Sequence, residues 1–328
     1  MEFRILGPLE ISEEGHARPL AGTKQKTLLA VLLLNPGEAV SSDRLVEALW
    51  GEKPPEKASN ALQAHVSQLR KVLGSTAGDL LVTQAPGYVL RVSPEQLDAT
   101  RFERLAAEGR RALADGDPRA GADTLREALS LWRGPALADL AYEAFAQEHI
   151  ARLEEARLAA LEDRLAADLE VGRHGEIVAE LEALTATHPF RERLRCQLML
   201  ALYRSGRQAE ALAVYQDTRT MLSEELGLEP GPQLRELHGA ILNQSPALRP
   251  QVEAPVITGR PVAAPDEPSP PAVQERKIVT LLFADLVGST ELGDRQDPER
   301  TRAVLERFYD AAVAEVELAG GTVEKFVR

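Results

Sequence analysis

The sequence predicts a mainly α chain that opens with a small α+β domain, continues as an all-α helical repeat and ends in a second, incomplete α+β segment. Three observations carry this. Between Ser41 and Val92, two helix patterns separated by a Pro-broken loop run into a hairpin. From Asp98 to Gln244, Ala/Leu-rich amphipathic stretches recur at a 34-residue offset. Residues 245–275 then hold eight prolines and no aromatic residue, which predicts an extended, disordered linker before the last segment.

Taken in order, residues 2–22 read as short strands: FRILGPLEI alternates and is broken at Gly7-Pro8, and Gly15 turns toward ARPLAG. A helix follows from about Lys24 to Leu34, with Thr23 as its expected N-cap and Asn35-Pro36-Gly37 as its stop. Ser41-Ser42 cap SSDRLVEALW, and Gly51 with Pro54-Pro55 ends that helix. The next, from about Ala58 to Leu73, places Leu62, Val66, Leu69 and Leu73 on one stripe. LLVTQ and YVLRV flank Ala85-Pro86-Gly87-Tyr88, where Pro then Gly specify a type II turn. Helix, loop, helix and hairpin together make a winged helix-turn-helix.

At about 100° per residue, the face opposite the leucine stripe holds Asn60, Gln63, Ala64, Ser67 and Lys71, with Gln68 and Arg70 at its margins. From Lys57 to Gly78 there are three basic residues and no acidic one. Amides bond adenine edges bidentately, and Lys and Arg reach guanine or phosphate. That face predicts duplex DNA recognition. The alternative is a small α+β domain whose second helix has a solvated polar face.

The 328 residues carry a net charge of −13. Residues 1–97 hold ten Lys+Arg and eleven Asp+Glu, so the acid lies elsewhere. Their near neutrality leaves open a scaffold whose first domain binds protein. The longest apolar run, Leu28 to Leu34, is far short of a membrane span, and MEFRILGPLE lacks the features of a secretory signal. With a single cysteine, Cys196, no internal disulfide can form, and its reading is a small hydrophobe in a helix core. A cytoplasmic protein is expected.

The repeat aligns Ala167 with Ala201, Leu169 with Tyr203, Gly172-Arg173 with Gly206-Arg207, Glu176 with Glu210, Val178 with Leu212 and Ala179 with Ala213. A 34-residue period with Gly at the turn is the tetratricopeptide signature. A weaker third unit surrounds Gly116 and Leu125 to Ala128, and a long helix is expected from about Leu140 to Val171. Such a solenoid offers a concave surface to a peptide, a partner domain or a second copy, and its effector is not named by the sequence.

After the linker, RKIVTLLFADLVGST joins a β-branched strand to an aspartate and a Gly-Ser-Thr turn; a helix from about Pro298 to Leu318 and GGTVEKF follow. A carboxylate at a strand end beside such a turn suits a divalent metal and phosphate.

These residues resemble known families. Through SSDRLVEALWG, NALQAHVSQLRKVLG and APGYVL, residues 1–97 resemble the OmpR-type winged helix of the Streptomyces antibiotic regulatory protein family. Through DATRFERL and LGLEPGPQLRELHGAIL, residues 98–244 resemble the bacterial transcriptional activator domain that follows it there. The resemblance implies a sequence-specific transcriptional activator that binds direct repeats near a promoter, as a side-by-side homodimer, and recruits RNA polymerase. It would place Asn60, Gln63, Ser67 and Lys71 toward the major groove, and Arg70, Tyr88 and Arg91 at phosphates. The loop from Gly51, with Lys53, Pro54, Pro55, Glu56 and Lys57, would face polymerase.

Residues 276–328 resemble the start of a class III nucleotidyl cyclase homology domain, Asp285 falling on the first metal aspartate and Lys325 on the purine-selecting lysine. The family continues with a Gly-Asp pair carrying the second metal aspartate, and later a transition-state Asn and Arg. Here Arg328 stands in place of the Gly and is the last residue, so a truncated, catalytically silent fragment is expected. A cyclase with a regulatory front end is thus the enzymatic alternative. The histidines at 16, 65, 149, 174, 188 and 238 lack metal-ligand spacing. With no Gly-rich phosphate loop, nucleophile elbow or receiver-type acidic cluster, no cofactor is expected.

Overall fold

A computed structural model of the chain describes residues 1–74 and 77–248. Strands β1 (Glu2–Arg4), β2 (Glu10–Glu13) and β3 (His16–Arg18) form an antiparallel sheet in that order, with Phe3 opposite Ile11 and both buried. The apolar run becomes α1 (Thr23–Leu33), in which every residue from Thr27 to Leu33 is buried. A helix wrapped on most sides shows no amphipathic stripe because it has little solvent face to show. Its N-cap is Gly22, at φ 81°, and not the expected Thr23; the Gln25 side chain accepts the Ala21 N–H at 2.6 Å and closes the entry instead.

Strand β4 (Ala39–Ser41), which periodicity gave no hint of, leads into α2 (Ser42–Trp50), whose N-cap Ser41 accepts from the Arg44 N–H at 3.2 Å. Helix α3 (Ala58–Leu73) follows, then a short α4 (Ala77–Leu80) and the hairpin β5 (Leu81–Gln84) and β6 (Gly87–Leu90). The second sheet runs β4-β6-β5, all antiparallel. Gln84 pairs with Gly87, leaving a two-residue loop with a cis Ala85–Pro86 bond. The expected type II turn is therefore corrected to one with cis-Pro at its third position. Gly87 is required by close approach: a Cβ there would lie 2.0 Å from the Val40 carbonyl oxygen of β4.

The helical half comprises α5 (Asp98–Ala114), α6 (Pro118–Ser130), α7 (Ala144–Glu170), α8 (Val178–Thr187), α9 (Glu192–Arg204), α10 (Gln208–Leu226) and α11 (Pro232–Leu242). The long helix begins at Ala144, because Ala138–Leu140 forms a separate 3-10 turn. The turns after α5, α7 and α9 share one geometry. Gly116, Gly172 and Gly206 have φ near +80° (83, 84 and 78), and the next residue's N–H returns to the carbonyl five positions back. These bonds, Asp117 to Ala112, Arg173 to Asp168 and Arg207 to Leu202, are each 2.9 Å. The faint third unit at Gly116 thus turns as the other two do. Helices α5 and α6 cross closely at Gly109 and Gly121, where a Cβ would come within 2.6 and 2.3 Å of Leu125 and Leu113.

Packing does not stop at residue 97. One core runs from Phe3 and Leu28 through Leu69 and Phe102 to Leu153 and Ala160; a second gathers Leu165, Leu181, Leu198, Tyr215 and Ile241. Helix α7 contributes to both. Across the seam, Asp98 accepts the Ile5 and Leu6 N–H groups at 2.8 and 3.0 Å. Burial is the larger influence on its carboxyl and lifts it above the ordinary range, against the lowering by those N–H groups and Arg133. The Arg133 N–H bonds the Leu6 carbonyl, its guanidinium bonds Pro8 O and Glu10, and Lys26 pairs with Asp139 at 2.6 Å.

In the second core, Asp168 is 1% exposed and collects Arg126, Arg164 and Arg173 at 3.1, 2.9 and 3.2 Å. Of the expected linker, residues 245–248 are described and are held: the Arg204 Nε donates to Leu248 O at 2.8 Å. The remainder of the linker and the cyclase-like segment lie outside the described residues.

Candidate nucleic-acid interface

Helix α3 is anchored by Leu62, Val66, Leu69 and Leu73, each at most 1% exposed. Trp50, at the end of α2, packs its ring 5.8 Å from that of His65 and joins the two helices. With the stripe inward, geometry turns Asn60, Gln63, Ala64, Ser67, Gln68 and Lys71 outward, and all six are exposed. Among the described residues, the Asn60, Gln63, Ser67 and Lys71 side chains form no hydrogen bond or ion pair, so their donors and acceptors are free.

Two residues expected at phosphates are placed otherwise. Arg70 turns toward the hairpin, where its Nε and Nη2 donate to Leu81 O at 3.2 and 2.9 Å and its Nη2 also donates to Thr83 Oγ1 at 3.0 Å. It fixes the wing against α3. Tyr88 is 8% exposed and belongs to the first core. Every β6 residue is buried, because the strand lies between β4 and β5, and the outward places fall on the loop and on β5. Arg91, just past β6, is exposed. Thr83, Gln84, Ala85 and Pro86 form the exposed wing tip. The loop Gly51–Lys57, with Lys53, Pro54, Pro55, Glu56 and Lys57, is exposed throughout.

Two supporting residues carried no local signal. Arg18 on β3 donates to Val72 O at 2.6 Å near the C-terminus of α3, and Lys24 on α1 donates to Leu49 O near the end of α2. Each is a cation set where a helix exposes its last carbonyls, a favourable end for positive charge. Their helices lie 54 and 25 residues away along the chain, so nothing at either position foretells the partner. The local result is an outward surface on α3 of amides, a hydroxyl and an ammonium, braced by a hairpin and free of carboxylates.

The chain matches two protein families: transcriptional regulatory protein, C terminal, over residues 19–90, and bacterial transcriptional activator domain over residues 97–242. It is 47% identical to the regulatory protein AfsR of Streptomyces coelicolor over 76% of this chain and 25% of AfsR. It therefore spans about a quarter of that relative, and likewise of AfsR from Streptomyces griseus. It is 40% identical to the regulatory protein DnrI of Streptomyces peucetius over 76% of this chain and 94% of DnrI. Among solved structures it resembles Mycobacterium tuberculosis EmbR, itself determined with a low affinity phosphopeptide, at a TM-score of 0.72 and 38% identity, covering 75% of this chain and 65% of EmbR. A relative matched along nearly its whole length, with both domains in the same order, places this chain in the Streptomyces antibiotic regulatory protein family of transcriptional regulators.

Proposed function

We propose that the chain is a sequence-specific DNA-binding transcriptional activator that binds promoter direct repeats and recruits RNA polymerase. The observation that carries this reading is the set of four exposed, unpaired polar side chains on α3, Asn60, Gln63, Ser67 and Lys71, opposite a buried leucine stripe. In this reading they face the major groove, where amides and cations discriminate base edges. Arg91 and the wing tip meet phosphates, which set orientation. The exposed loop Lys53 to Lys57 faces polymerase, and two copies sit side by side as a homodimer on the repeat. Regulatory relatives such as RedD of Streptomyces coelicolor and DnrI support the same role.

The core shared across residue 97 packs α5 to α7 directly against the winged helix, which gives the helical half a contact path to the reading head. Residues 276–328 are read as a catalytically silent segment resembling a class III nucleotidyl cyclase homology domain, Asp285 and Lys325 matching its metal and purine positions. The site of action is cytoplasmic; among the described residues, no helix is long and apolar enough to cross a membrane.

Selection of bound duplexes from a random pool, followed by footprinting, tests the proposal. A recovered direct repeat, bound with affinity that falls steeply as salt rises, is the expected result. Gln63→Ala should relax preference at one position of each half-site. Equal affinity for random and repeat-bearing duplexes overturns the reading.

A further inference from the structure

A cleft of about 620 Å³ opens between α1, the end of α2 and the start of α7. It joins the winged helix to the helical half, the kind of seam where small-molecule sites concentrate, and its volume lies within their usual range. Val31, Leu34, Trp50 and Phe145 supply apolar and aromatic walls, and Lys24, Arg44, Glu47, Glu143 and His149 supply polar groups.

The polar groups divide by what already holds them. Lys24 is committed to Leu49 O. Arg44 forms no ion pair among the described residues, and its one side-chain contact is a 3.5 Å approach to Asn35 Oδ1. The carboxylates of Glu47 and Glu143 and the His149 ring make no hydrogen bond there either. His149 is held below the ordinary imidazole range, chiefly by burial and further by Arg152 and Arg44, against a smaller opposing effect of Glu148. The cleft therefore pairs a planar guanidinium with little to bind, which suits a carboxylate in bidentate geometry, with aromatic walls for a flat body. The two glutamates can accept from a hydroxyl on that body.

We propose that this cleft binds a hydroxylated aryl carboxylate, its carboxylate on Arg44 and its rings between Trp50 and Phe145. Such a ligand touches α1 and α2 of the winged helix together with α7, and so fills the seam between the reading head and the helical half.

The test is a titration of the full chain, without DNA, by calorimetry and Trp fluorescence. The probes are 6-hydroxy-2-naphthoate and its uncharged analogue 2-naphthol. Saturable one-to-one binding of the naphthoate is expected, with about tenfold weaker binding in Arg44→Gln, the loss of roughly one charge-assisted pair. In the same variant 2-naphthol should bind within about twofold of its wild-type affinity, because it never used the guanidinium. Arg44 is on the surface, and an unchanged thermal transition verifies the fold of the variant. No saturable naphthoate binding below about 1 mM overturns the proposal. So does equal binding of the naphthoate by wild type and Arg44→Gln, or an equal loss for both probes.

Discussion

Arg70→Ala separates a residue that builds the interface from residues that use it. The guanidinium makes three contacts to the hairpin, two of them to the carbonyl of the fully buried Leu81. Hydrogen bonds to a charged donor are each worth about 1.5 kcal/mol net, and two such groups are satisfied here. Half-exposure of the arginine discounts the sum to about 2 kcal/mol. For a folded unit of this size that loss lowers Tm by about 4–8 °C. The wing also loses its brace against α3, so DNA affinity should fall. The salt dependence should not: with Arg70 pointing at Leu81 and Thr83, the number of phosphates neutralised is unchanged. Arg91→Ala makes the contrast: its exposed side chain forms no hydrogen bond or ion pair among the described residues, so stability should hold while the salt slope becomes shallower by about 0.9. Differential scanning calorimetry and binding measured from 50 to 200 mM salt read both quantities. If Arg70→Ala leaves Tm unchanged and flattens the slope by about one unit, the guanidinium contacts DNA and the bracing argument is wrong.

Four further outcomes follow from the packing. Gly87→Ala should cost about 3 kcal/mol or more, because its Cβ would sit 2.0 Å from a backbone oxygen that no rotamer change can move; a denaturation midpoint equal to wild type refutes this. Asp98→Ala leaves the Ile5 and Leu6 N–H groups without their acceptor and should cost about 2–6 kcal/mol. Burial raises the Asp98 carboxyl above its ordinary 3.8, so the folded chain binds this proton more readily than the unfolded one. Its contribution to stability therefore grows as pH falls from the raised value toward 3.8, and the advantage of wild type over Asp98→Asn should widen on acidification; a narrowing gap contradicts the assignment. The Cys196 thiol, pushed up to about 11 mainly by burial, should react with a disulfide reagent at pH 8 roughly tenfold or more slower in the folded than in the unfolded chain, the smaller thiolate fraction being partly offset by greater nucleophilicity; equal rates refute it.

What the sequence determined by itself was whatever depends on neighbours along the chain. The stripe Leu62 to Leu73 fixes which face of α3 is inward, and geometry then exposes Asn60, Gln63, Ser67 and Lys71. The turn glycines were equally legible, since a left-handed residue closing a helix is a local event, and even the faint unit at Gly116 closes as Gly172 and Gly206 do. Tertiary structure decided the rest, because those outcomes depend on partners far away in sequence. Tyr88 reads as an outward wing residue until β4 pairs with β6 and encloses it. Arg70 lies on the margin of a polar face, and only the hairpin's carbonyl and hydroxyl, 11 and 13 residues on, claim its guanidinium. The seam at residue 97 looks like a boundary from composition. Asp98, reaching back 93 residues to the Ile5 N–H, makes it part of one core, because a buried backbone donor must find an acceptor wherever the fold supplies one.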